Sequence, residues 1–173
     1  MRTFRYDTEI DVPRDPEQVF AFFSQARNLE KLTPPWLRFE ILTEDPIDMA
    51  PGTLIDYRIR WRGIPMRWRT EIEVWEPPHR FVDVQLRGPY AFWHHTHRFE
   101  PRDGGTLLCD EVRYALPVAL TGPLRDLVHS LYVRPTLERI FDYRAQVFAR
   151  LFGGTAKTRM HASHALAREE NTA

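Results

Sequence analysis

From residue 4 to residue 12 the chain alternates, with Phe4, Tyr6, Thr8, Ile10 and Val12 on one parity. A period of two predicts a half-buried strand. The period then lengthens. In "RDPEQVFAFF" Val19, Phe20 and Phe23 mark a helical face. Asp15 stands at the N-cap position, Pro16 at the first helical position, and Gln18 where a capping box places Gln or Glu. "ARNLEKLTPPW" predicts a second short helix, stopped by Pro34 and Pro35.

After Trp36 the pattern returns to strands. Residues 37–44, 52–63, 64–78, 79–89, 91–101 and 106–117 each read as one, with turn signals at Arg62-Gly63 and in "RDGG". Six consecutive strands with short connections predict an antiparallel meander. Apolar residues then recur three and four apart: Leu124, Leu127, Val128 and Leu131, then Leu137, Ile140, Phe141, Phe148 and Leu151. This predicts one long helix from about 121 to 152, kinked or broken at Pro135 and ended by Gly153-Gly154. Residues 154–173 are polar and weakly patterned, which predicts a flexible tail after a single domain over 1–153. Segregated strands and helices define an α+β class. The expected architecture is a seven-stranded curved antiparallel sheet wrapped around the long C-terminal helix, with two short helices after the first strand and a cavity between sheet and helix.

Parity assigns faces. Ile55, Tyr57, Ile59 and Trp61 share the inner face of one strand, and Met66, Trp68, Thr70, Ile72 and Val74 that of the next. Leu108, Val112, Tyr114 and Leu116 set an inner parity that carries Asp110 inward. In "AFWHHTHRFEP" Trp93, His95, His97 and Phe99 go in and His94 goes out. Strand 80–87 is ambiguous: hydrophobicity favours Val82, Val84 and Leu86 inside, against Phe81, Asp83 and Gln85.

Composition narrows the classes. The chain has 173 residues with 24 Lys+Arg against 24 Asp+Glu, so no net charge favours nucleic acid or an anionic membrane as partner. Cys109 is the one cysteine, which excludes an intrachain disulfide and a Cys-based zinc site and suggests a reducing, cytoplasmic setting. No signal-peptide core and no membrane span is expected. Arg58, Arg60, Arg62, Arg67 and Arg69 form a basic stripe on one hairpin, read here as a solvated face balanced by Asp56, Glu71 and Glu73.

The string "FVDVQLRGPYAFWHHTHRFE", followed by "DEVRYALP", resembles the polyketide cyclase/dehydrase-like branch of the START/Bet v 1-like (SRPBCC) superfamily. It is similar in particular to that group's small bacterial ligand-binding domains, some of them fused to nucleotide-sugar-epimerase-like domains. The resemblance spans roughly 3–152 and implies the helix-grip fold. It also implies that Asp83 and Gln85 face the cavity, which would leave Val82, Val84 and Leu86 as an outward strip suited to homodimerisation.

Four readings of the inner polar set follow. Asp83 and Asp110 could simply hydrogen-bond His95 and His97 across strands. Tyr57, Trp68, Thr70, Asp83, Gln85, Trp93, His95, His97, Asp110 and Tyr114 could line a site for a small hydrophobic or aromatic molecule. His95, His97, Asp83 and Asp110 could act as acid–base groups in a cyclisation or dehydration. Metal binding ranks last, because no Cys/His spacing motif supports it, and no metal or cofactor is expected. The leading expectation is ligand binding. A cyclase or dehydratase, and an interaction module without cavity chemistry, are the alternatives.

Overall fold

The computed structural model describes residues 1–117 and 119–153, and the backbone of 159–161. The first strand is β1 (Phe4–Val12), followed by α1 (Pro16–Phe23), α2 (Asn28–Leu32) and a 3-10 turn at Pro35–Leu37. Asp15 is the N-cap of α1, but no side-chain capping bond forms there, so the capping box is absent. The meander is β2 (Glu40–Ile41), β3 (Leu54–Trp61), β4 (Ile64–Glu76), β5 (Arg80–Arg87), β6 (Phe92–Arg102) and β7 (Gly105–Ala115). The expected strand at 37–44 thus shrinks to two residues.

All seven expected strands lie in one antiparallel sheet of order β2-β3-β4-β5-β6-β7-β1. A short β8 (Arg159–His161) adds to the free edge of β1. The rest of the expected tail lies outside the described residues. The β3–β4 hairpin turns on Arg62-Gly63, with φ of 50° and 87°. Two positive φ values match the twist of the flanking strands, and Gly accepts one of them without steric cost.

Two bulges decide what β4 and β5 present. Ile72 pairs with Asp83 and Val74 with Val82, so Glu73 is an extra residue. Parity reverses there. Trp75, rather than the expected Val74, packs on Phe20 and Phe81, with ring centroids 4.8 and 5.4 Å apart. Thr70 pairs with Gln85 and Arg69 with Arg87, which leaves Leu86 extra. The outward apolar strip is correspondingly broken: Val82 is buried, Val84 half-buried, and only Leu86 is well exposed.

The predicted C-terminal helix is a composite. α3 (Gly122–Val128) passes through a π-helical stretch, His129–Val133, into α4 (Arg134–Phe152). The Arg134 N–H bonds to the His129 carbonyl, five residues back. The wider turn accommodates the N–H that Pro135 lacks, so the chain continues as a helix without a break. It also shifts the helical phase. Leu124, Leu127 and Leu131, part of the apolar helical pattern, are exposed, and His129 is buried. Gly153 ends α4 with φ of 77°.

Leu137, Phe141 and Phe148 of α4 meet the sheet in two buried clusters. One centres on Phe20, Phe23, Phe81, Phe99 and Phe148, the other on Phe4, Tyr6, Tyr114, Leu137 and Phe141. Each buried aromatic or aliphatic side chain contributes about 1.5–3 kcal/mol relative to an exposed one. No helix among the described residues is long and apolar enough to cross a membrane.

The basic stripe is partly neutralised. Arg58 pairs with Glu40, and Arg69 with Asp56 at 2.7 Å. Arg62 leaves the stripe and stands 5.3 Å over the Tyr132 ring. Glu73 faces His94 at 3.5 Å rather than an arginine. Cys109 is buried, and burial first, then Glu100, pushes its thiol up to about 11, which leaves it unreactive.

Candidate functional site

Between the sheet and α4 lies a cavity of about 360 Å³. Its wall is largely aromatic and aliphatic, drawn from β3, β4, β6, α2 and α4. Tyr57, Trp68, Thr70, Asp83, Trp93, His95 and His97 all line it. The Tyr57 and Thr70 hydroxyls are 3.3 Å apart, and the Tyr57 and Trp68 rings stack at 5.7 Å. The Trp68 indole Nε1 is buried, with no hydrogen-bond partner among the described residues.

Three expected site residues are not on that wall. The Gln85 amide donates to the Tyr90 carbonyl at 2.8 Å and accepts from the Tyr90 N–H at 3.3 Å, closing the β5–β6 connection. Gly88 sits inside this clamp: a Cβ there would fall 2.2 Å from the Gln85 side-chain oxygen. Tyr114 is fully buried and its hydroxyl is 2.8 Å from His129 Nε2. Asp110 lies behind the histidines.

Register assembles the polar end. β5–β6 pairing sets Asp83 opposite His95, and β6–β7 pairing sets His97 opposite Asp110. Residues two apart on β6 share a face, so both imidazoles stand between the two carboxylates, with ring centroids 3.8 Å apart. On the cavity side His95 Nδ1 is 3.4 Å and His97 Nε2 is 3.2 Å from the same Asp83 oxygen. On the far side His95 Nε2 is 3.1 Å and His97 Nδ1 is 2.6 Å from one Asp110 oxygen. The last contact is close but poorly aligned, and His97 Nδ1 makes no hydrogen bond by direction. Phe81 stacks on His97 at 4.0 Å, and Phe23 stands 5.5 Å away. His94 lies on the other face of β6.

Arg144 completes the set from α4, 3.4 Å from the same Asp110 oxygen. It is only 6% exposed. It had a sequence signal: it falls three after Phe141 and four before Phe148, a charge on the apolar stripe of the helix.

Burial opposes every charge here, and pairing decides which survive. Burial would raise Asp110, but His97 and Arg144 hold it well below the usual carboxylate range. Burial would raise Asp83 too, but the two histidines and Arg144 keep it low. Burial, with the charge on His97, lowers His95 to about 4. His97 goes up, because Asp110 and Asp83 outweigh its desolvation. Pairing with two carboxylates thus draws His97 toward its charged form, and burial draws His95 toward its neutral one. Asp83, His95 and His97 also offer three possible metal donors, all within 4.8 Å of one another.

An antiparallel sheet gripping a C-terminal helix, with a cavity between them, defines the helix-grip architecture of Bet v 1-like proteins. The chain belongs to the family described as polyketide cyclase / dehydrase and lipid transport, whose profile matches residues 12–141. No curated protein sequence matches it. Among solved structures it is similar to a protein of Chromobacterium violaceum (TM-score 0.62, 16% identity, 89% of this chain and 99% of that one). It is also similar to the Zhui aromatase/cyclase of Streptomyces sp. R1128 (TM-score 0.60, 14% identity, 86% of this chain and 96% of that one). A third similar structure is Ara h 8.0201 (TM-score 0.56, 18% identity, 85% of this chain and 99% of that one). At these identities the structural likenesses establish the fold.

Proposed function

We propose that this protein binds a small hydrophobic or aromatic molecule in the cavity between the sheet and α4, with the molecule's polar end on Asp83, His95 and His97. The observation that carries this reading is the cavity itself: about 360 Å³ with an apolar wall and polar groups converging at one side. Ligand sites have this design, with typical volumes of about 300–1,000 Å³. The unpartnered Trp68 indole N–H supplies a further donor for a ligand oxygen. The family description, which names both lipid transport and cyclase chemistry, is compatible with such a ligand.

Titration of the full-length protein with 1-anilinonaphthalene-8-sulfonate tests this. The expected result is saturable binding at one site per chain, competed by fatty acids or by fused aromatic phenols. Absence of saturable binding, together with no small molecule retained in native mass spectrometry, would overturn it.

A second reading is acid–base chemistry in the same cavity. The contacts of His97 with two carboxylates favour it, because they hold a proton at the wall. It requires conversion of a polyketide precursor that disappears in Asp83→Asn while dye binding persists.

A further inference from the structure

Each of the two buried imidazoles has both ring nitrogens within 3.4 Å of a carboxylate oxygen. A neutral imidazole carries one N–H and one lone pair. Only two of the four contacts are directed hydrogen bonds, His95 Nε2 with Asp110 and His97 Nε2 with Asp83, so each ring uses one nitrogen. A cation between the cavity-side nitrogens and Asp83 would take the lone pair of His95 Nδ1 directly, and that of His97 Nε2 once its proton sits on Nδ1, 2.6 Å from Asp110.

We propose that Asp83, His95 and His97 form a binding site for a divalent first-row transition ion, with its open coordination positions facing the cavity. Three features support it beyond donor proximity. The donor type is right, since two imidazoles and one carboxylate with open positions suit Fe2+, Co2+ or Zn2+, whereas Mg2+ and Ca2+ prefer all-oxygen sets. Two of the three donor separations fit. Donors about 2.0–2.1 Å from one ion stand about 2.9–3.4 Å apart, and the Asp83 oxygen is 3.4 Å from His95 Nδ1 and 3.2 Å from His97 Nε2.

The backing is right as well. Metal-bound histidines usually donate their other N–H to a carboxylate that fixes ring orientation. Asp110 receives His95 Nε2 and lies 2.6 Å from His97 Nδ1, is 2% exposed, and is itself held by Arg144. Asp83, His95 and His97 line the cavity, so a ligand's polar end could reach the ion's open positions. The site goes beyond the apolar-ligand reading and does not depend on it.

The test is Co2+ titration of chelator-treated full-length protein, read by visible absorption. One Co2+ per chain is expected, with saturable d–d bands that Zn2+ displaces. Asp83→Asn should weaken binding at least ~10-fold, Asp110→Asn ~10–100-fold, and His94→Ala should leave it unchanged. Circular dichroism confirms folding. If Asp110→Asn fails to fold, Asp83→Asn decides alone. Absence of bands at millimolar Co2+, equal affinity in Asp83→Asn, or loss of binding in His94→Ala would each overturn the proposal. Dye binding to the metal-free protein reports separately on the cavity.

Discussion

Arg144 on α4 reaches Asp110 on β7 at 3.4 Å, so a single buried ion pair ties the gripping helix to the sheet behind the two histidines. A pair this deep gains little over an apolar replacement of both partners, but removing the guanidinium leaves the Asp110 carboxylate buried with only the two histidines beside it. Arg144→Ala should therefore destabilise the fold by about 1–5 kcal/mol, measured by urea denaturation. A loss below about 1 kcal/mol, the range of surface pairs, would mean the pair is solvated in solution.

Filling the cavity should separate binding from folding. Ile140 lies on the α4 side of the wall. Ile140→Trp is expected to reduce dye affinity at least ~10-fold while costing about 1–3 kcal/mol of stability. Unchanged affinity in a folded Ile140→Trp protein would place the dye elsewhere.

Acid should loosen the Tyr114–His129 contact. Burial, then Arg134, lowers His129 from its usual 6.5, so the unfolded chain takes up its proton more readily than the folded one. Stability from this group is present above about pH 6.5 and is lost as pH falls through the folded value. His129→Phe keeps a ring against Phe4, stacked at 3.7 Å in the native protein, and removes the titration. Thermal midpoints between about pH 7 and pH 5 should fall less steeply in this variant; parallel curves would refute the assignment.

The clamp at the β5–β6 connection predicts a coupled pair. Gly88→Ala drives a methyl into the Gln85 amide and should cost about 1–3 kcal/mol. In a Gln85→Ala background the same change should cost clearly less, giving a coupling of about 0.5–3 kcal/mol. Strict additivity in that double-mutant cycle would show that the turn relaxes without the amide.

Much of this architecture is legible in the chain because its signals are local. Alternation in 4–12 and 105–115, the Arg62-Gly63 turn and the three-and-four spacing from Leu137 to Phe148 each depend only on near neighbours. Parity likewise separates His95 and His97 from His94, since a strand sends successive side chains to opposite faces. The tertiary structure decided the rest. The extra residues Glu73 and Leu86 arise only when β4 and β5 must keep pairing while the sheet curves, and they turned Trp75 inward in place of Val74. The π-helical turn before Pro135 offset the apolar spacing of Leu124, Leu127 and Leu131 from that of Leu137 to Phe148, and the first three are exposed. Above all, Asp83, Asp110 and Arg144 come from three separate elements. Their convergence on two histidines is a matter of strand register and helix docking, and charges so far apart in sequence meet only when the sheet closes on its helix.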